Sequence, residues 1–165
     1  MLKLPVSDSQ IERAKKISNP DKVFNQNKIG KRAYLTGALG EIVVGDFLGV
    51  TPHVYKSFND VYDFDIDYRN IRIEVKSKLV NKKPQPFYDC SIFGYNTKQK
   101  CDQYWFVNIL KDMSFAFILG YIKKDDFYRN AEFCKAGTNR GNLVYKWDNW
   151  VIKAYDLNDP VLIRD

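Results

Sequence analysis

The sequence predicts an α/β fold: a mixed central β-sheet of four or five strands flanked by helices on both sides, with a short hairpin near the end of the chain. Three observations lead there. Residues 71–78 alternate between aliphatic side chains (Ile71, Ile73, Val75) and polar ones (Arg72, Glu74, Lys76, Lys78), the period of a half-buried strand. Residues 31–48 place Leu35, Leu39, Ile42, Val43 and Phe47 at helical spacing. Residues 105–110 and 114–122 are apolar and β-prone, as buried strands are. A length of 165 residues predicts one domain, and 11 Tyr, 11 Phe and 3 Trp weigh against disorder.

Taken in order, residues 5–20 predict a first helix, opened by Ser7 or Ser9, with Ile11, Ala14 and Ile17 on one stripe and Asn19-Pro20 at its end. Residues 25–29 read as loop. The helix over 31–48 carries a second stripe, Gly37, Glu41 and Gly45, at steps of four. Glycine costs a helix about 1 kcal/mol relative to Ala. Two of them around one Glu predict a helix lying close against a sheet, so that the Glu41 carboxylate reaches past it. Residues 51–57 predict a short strand with His53 and Tyr55 on one face. Residues 62–67 alternate again, Tyr62, Phe64 and Ile66 opposite Asp63, Asp65 and Asp67, and the link 68–70 lets this strand pair with 71–78 as a hairpin. Residues 79–87 hold two Pro and several Lys or Asn and read as loop. Residues 87–95 predict strand or turn, and 96–100 a polar, basic segment leading into the strand at 105. Residues 123–133 predict a helix opened by Asp125 and Asp126, and 137–142 a turn. Residues 143–147 and 150–155 predict the terminal hairpin.

The chemistry collects at the first hairpin. Pairing brings an Asp close to Glu74, and two crowded carboxylates repel unless a cation lies between them. A hard divalent metal relieves that cost. Lys76 stands on the same face as Glu74, two residues on. The net charge is +6, and residues 1–40 hold eight Lys or Arg against three acids, so a basic helical N-terminal segment (about residues 1–28) is expected beside the acidic cluster. That combination suits a polyanion, whose phosphates need cations along their track.

Asp65, then Glu74-Val75-Lys76 at the end of the next strand, with Glu41 on an earlier helix in Gly37-Ala38-Leu39-Gly40-Glu41, resembles the PD-(D/E)xK nuclease superfamily across residues 29–107. The Pro-Asp of that superfamily is absent, which leaves Asp63 as a rival to Asp65; the nine-residue separation from Glu74 favours Asp65. The resemblance implies a restriction-endonuclease-like core spanning the single domain 1–165. It implies a Mg²⁺-dependent deoxyribonuclease, an endonuclease, with Mn²⁺ as a substitute ion. Asp65, Glu74 and the Val75 backbone carbonyl would bind the metal, and Glu41 would hold a water on it or a second ion. Lys76 would orient or deprotonate the attacking water and offset transition-state charge. Lys78, Lys82, Lys83, Lys98 or Gln99, and Arg140 are the expected substrate contacts. DNA is the expected partner, and cutting both strands would call for a homodimer. The alternative is a nucleic-acid-binding module that keeps the fold without the chemistry.

Other constellations are weaker. Asp63, Asp65, Asp67 and Glu74 fall at positions 1, 3, 5 and 12 of a calcium loop, but Tyr68 stands where that loop needs Gly, and both flanks have strand period. A purely structural charge ladder across the hairpin would contribute only ~0.2–1 kcal/mol per pair. Cys90, Cys101 and Cys134 have no CxxC spacing and with the single His53 make a poor zinc set, so free thiols are expected. An odd cysteine count, no signal-like start and no long apolar run predict a cytoplasmic protein without a membrane partner.

Overall fold

The computed structural model describes residues 1–17, 31–53, 63–141 and 143–163. It is a mixed α/β structure built on a five-stranded sheet. Strand β1 (Leu2–Pro5) is followed by α1 (Asp8–Ile17) and α2 (Lys31–Leu48). Then come β2 (Ile66–Tyr68), β3 (Ile71–Val80), β4 (Asp89–Phe93), a 3₁₀ turn (Gly94–Lys98), β5 (Gln103–Leu110) and β6 (Phe115–Lys123). The chain continues through α3 (Lys124–Asn130), β7 (Glu132–Cys134), β8 (Asn139–Arg140), β9 (Leu143–Val144) and β10 (Asn149–Lys153). The main sheet has the order β1-β6-β5-β3-β2, with β3 and β5 parallel and the other pairs antiparallel. A second antiparallel sheet, β4-β10-β7, stands beside it.

Strand β5 lies at the centre, which is why nearly every residue of it is buried regardless of parity. Its odd residues Trp105, Val107 and Ile109 join Ile73 and Val75 of β3 against Leu39, Ile42 and Val43 of α2. Its even residues Tyr104 and Phe106 join Phe117, Phe127, Ile92 and Ile152 on the other face. The helical stripe expected on α2 is therefore the one that meets the sheet. The opposite face is covered by the second sheet and the two-turn α3, where flanking helices were expected. Gly120 marks a bulge in β6, where the register against β5 shifts between Phe106 and Val107. It has φ +153°, and a Cβ there would lie 2.5 Å from the Asn158 carbonyl oxygen. The close approach lets Tyr121 exchange backbone hydrogen bonds with Asn158.

Several expectations change. Residues 2–5 form an edge strand ahead of the first helix, and Ser7 with Gln10 makes a reciprocal capping box at the start of α1. The expected end of that helix at Asn19-Pro20, the loop at 25–29, most of the strand at 51–57 including Tyr55, and Tyr62 and Asn142 lie outside the described residues. The Asp strand is shorter than its alternation suggests, beginning only at Ile66, while Asp63 and Asp65 precede it. The helix expected over 123–133 stops at Asn130, and residues 132–134 turn into β7. The terminal hairpin of 143–147 with 150–155 does not form. Leu143–Val144 pairs back onto Asn139–Arg140, and both edges of β10 are taken by β4 and β7. The three cysteines are free and buried. No helix among the described residues is long and apolar enough to cross a membrane.

Candidate functional site

The β2–β3 hairpin turns through Arg69 and Asn70, both at positive φ, as a two-residue turn of matching twist requires. Strand β2 is only three residues long, so it pairs with residues 71–73 of β3 and stops. The ladder is continued for one step by other means. The Asp65 N–H donates to the Ile73 carbonyl at 2.9 Å, and the Val75 N–H donates to Asp65 Oδ2 at 2.7 Å. A side-chain carboxylate thus stands where a strand carbonyl would have been. A strand residue sends its N–H and C=O to the same side, so the Val75 carbonyl faces this edge too.

Three further groups converge on it. Glu74 projects from the face of β3 opposite α2 and is 6% exposed. Its Oε1 accepts from Lys76 Nζ at 2.6 Å and from Gln99 Nε2, while Oε2 is buried with no hydrogen-bond partner among the described residues. Lys76 shares that face by strand alternation. Glu41 arrives from α2. Its carboxyl is pushed well above the usual range by burial and then by the charges of Asp65 and Glu74. Burial, followed by Asp65, raises Glu74 to about 7, against the lowering influence of Lys76 and Gln99. Burial also works against the Lys76 charge, yet Glu74 and Asp65 outweigh it and its pKa rises. Lys76 is therefore a cation at neutral pH.

The close helix–sheet approach that brings Glu41 in depends on Gly40. A Cβ at Gly40 would fall 1.7 Å from Ser77 Oγ and 2.8 Å from Ser77 Cβ. Gly37, expected to be in contact, has nothing within 4 Å of its would-be Cβ, and Gly45 packs against Val50 and Pro52 instead of the sheet.

Of the two acidic candidates, Asp65 is buried at the edge of β3, whereas Asp63 is half-buried and paired with Lys100 at 2.9 Å. Of the two candidates near position 98, Gln99 is buried against Glu74 and Lys98 is exposed. Lys78 lies further along β3, its Nζ donating to the Asp89 carbonyl at 2.6 Å. Lys82 and Lys83 are exposed in the loop beyond it. Arg140 is not on a free loop. It lies in β8, where its guanidinium is 2.6 Å from Glu132 Oε2 and 3.9 Å from Asp89 Oδ2, and it donates towards Cys134 Sγ at 3.6 Å. The N-terminal segment is likewise a built-in part of the fold. Strand β1 is the edge opposite β2, and Arg13 pairs with Asp46 of α2, while Lys22 and Lys28 lie outside the described residues.

One contributor escaped sequence reasoning. Lys124 donates from Nζ to the Gln99 carbonyl, pinning the residue that grips Glu74. Its position at the start of α3, 25 residues beyond Gln99, offers no local signal.

The donor set is all oxygen, which suits Mg²⁺, an ion commonly held by one or two carboxylates with water completing its shell. Glu74 Oε2, which lacks a partner among the described residues, and the mutual repulsion of three carboxylates fit such an ion. Among the described residues no three His, Cys, Asp or Glu side chains are gathered into a ready ligand cage. No protein-family model matches the chain, and no curated protein matches it.

Proposed function

We propose that this chain is a metal-dependent nuclease of the restriction-endonuclease-like class, hydrolysing phosphodiester bonds in DNA as an endonuclease. The observation that carries the reading is the buried Glu74 Oε2, without a hydrogen-bond partner among the described residues, beside Asp65, with Lys76 on the same strand face and Glu41 closing in from α2. A set of three carboxylates and one ammonium is costly to bury unless a cation completes it.

Asp65 and Glu74, with the Val75 carbonyl and Glu41, would hold Mg²⁺, which supplies charge neutralisation and polarisation of the phosphoryl group. Gln99 fixes the Glu74 rotamer by donating to Oε1, which leaves Oε2 to serve as the metal ligand. Lys76, protonated at neutral pH, offsets the negative charge that grows on the phosphoryl oxygens as a water oxygen bonds to phosphorus and the sugar oxygen leaves. Its raised pKa favours this role over deprotonating the water. Lys78 and the exposed Lys82 extend the cationic track beyond the strand.

A second reading, a binding module of the same fold without chemistry, draws on one observation: Lys76 is closed onto Glu74 at 2.6 Å. One experiment separates them. Supercoiled plasmid, linear duplex and branched DNA are incubated with the protein and Mg²⁺ or Mn²⁺, beside Glu74→Ala and an EDTA control. Metal-dependent cutting that Glu74→Ala abolishes is the expected result. Salt-sensitive binding without cutting, unchanged in the variant, would replace the nuclease with the binding module.

A further inference from the structure

Beside the cluster, on the same face of β3, runs a groove of about 390 Å³. Lys76 belongs to both. The groove continues past Lys78, with Phe106 and Asn108 of β5 on its floor and Phe93 and Tyr95 at its rim. Lys78 and Asn108 are partners in the parallel ladder, so their side chains share this face. Asn108 is 1% exposed, and its Nδ2 has no hydrogen-bond partner among the described residues. A buried amide donor left unpaired costs roughly 1–3 kcal/mol, so its retention on the floor of an open groove points to a ligand acceptor.

The rim is unusual in the opposite sense. Tyr95 is 65% exposed and lies parallel to Phe93, ring centroids 5.5 Å apart with 5° between planes. Tyr95 also lines a second groove with Phe133 and Trp147, the latter 59% exposed. Exposed rings on two grooves that share Tyr95, next to lysines on a chain of net charge +6, suit the stacking of bases with cations for their phosphates. A duplex cannot use such a surface, because its bases are already stacked on one another.

We propose that these two grooves form a single-strand track. Unpaired bases stack on Tyr95, Phe93 and Trp147, and one base enters the Asn108 groove and accepts a hydrogen bond from Nδ2, with its phosphate running towards Lys76. The inference builds on the nuclease reading and specifies its substrate: an unpaired strand, or a duplex locally opened next to the cut.

The test measures binding and cutting separately, on the full chain. Fluorescence anisotropy in EDTA compares labelled single strands of about 12 nucleotides (dA, dC or dT) with a duplex of equal length, for the native protein and for Tyr95→Ala, Trp147→Ala and Asn108→Leu. The first two variants change exposed residues and should fold. The single strand is expected to bind at least about 10-fold more tightly than the duplex, and Tyr95→Ala to weaken it about 5- to 150-fold, the range for one stacked base. Asn108→Leu, removing the donor at similar volume, is expected to level the preference among the three strands. Equal or tighter duplex binding, or single-strand affinity untouched by Tyr95→Ala, would overturn the track. So would a change of oligomeric state in Tyr95→Ala with no loss of binding, which would make the rings a contact between copies. Single-strand binding that depends on Tyr95, without cleavage in Mg²⁺ or Mn²⁺, would remove the nuclease and keep the track. Duplex cleavage at the native rate by Tyr95→Ala would do the reverse.

Discussion

Two polar clusters lie on either side of Lys78, and they are opposite in design. Around Glu74, three carboxylates meet one ammonium, and burial has pushed Glu41 and Glu74 upwards. Around Asp89, two carboxylates meet two cations. Lys153, its ladder partner, donates to Oδ1 at 2.6 Å, Tyr145 donates to Oδ2 at 3.3 Å, and Arg140 bridges to Glu132. The balanced cluster ties the second sheet together and leaves no oxygen of Asp89 bare. The unbalanced one is an incomplete electrostatic unit. Balance of charge, more than the number of acids, separates the two: one network is complete in itself and the other is short of a cation.

Exchanging the variants between the two clusters should give the largest effect. Glu74→Ala or Lys76→Ala should lower metal-dependent cleavage by at least about 10²-fold, with Lys76→Ala still binding DNA, whereas Asp89→Ala should cut at the native rate below its unfolding temperature. Plasmid-nicking rates beside anisotropy check all three. Retained cleavage by Lys76→Ala would remove its proposed role.

The next difference is in stability against pH. The Glu74 pKa is raised in the folded state to about 7 from 4.5, so the native protein holds a proton that the unfolded chain has already released. The stabilisation is fully present below pH 4.5 and is lost as the pH rises through 7, a fall on the order of 3 kcal/mol in the absence of metal. Urea unfolding at pH 5.5 and 8.5 in EDTA should show it. Glu74→Gln should flatten the slope, and Mg²⁺ should restore stability at pH 8.5 in the native protein only.

Asp89→Ala should act with the opposite sign at pH 8.5. It leaves the partly buried Lys153 and Arg140 short of a partner and should cost about 2 kcal/mol, below the ~3–5 of a fully buried pair, where Glu74→Gln gains stability in EDTA. The smallest effect belongs to Asp63→Ala. Its exposed pair with Lys100 should contribute under about 0.5 kcal/mol, and cleavage should persist. Loss of cleavage there would move the metal ligand from Asp65 to Asp63.

Where the chain's period is long and clean, its structure was legible. The alternation at 71–78, the stripe of α2 and the runs behind β5 and β6 all reappear as elements. The polar segment at 96–100 falls partly in the 3₁₀ turn that precedes β5, while Asp65 stands just ahead of the strand its alternation suggests. What local pattern could not convey is pairing between distant segments. Strand β1 is four residues ending in Pro5, too short for a period to register, and it exists because β6 supplies an edge for it. The hairpin expected near the end failed for the same reason, since β10 takes its partners from residues 89–93 and 132–134. Arg140 reads as a substrate contact in a turn because its carboxylate partners, Glu132 and Asp89, leave no local signal beside it. Gly40 was overlooked beside Gly37 and Gly45, since only the position of Ser77 shows which glycine faces the sheet.

The brevity of β2 has a last consequence. Pairing between β2 and β3 ends after three residues, and among the described residues the Asp65 carboxylate takes the next position on β3. The site is thus shaped by a strand that ends early. Two more pairing residues at the N-terminal end of β2 would put a backbone carbonyl where the Asp65 carboxylate stands, so lengthening this strand, a change of pairing with Glu41, Glu74 and Lys76 all retained, would by itself dismantle the cluster.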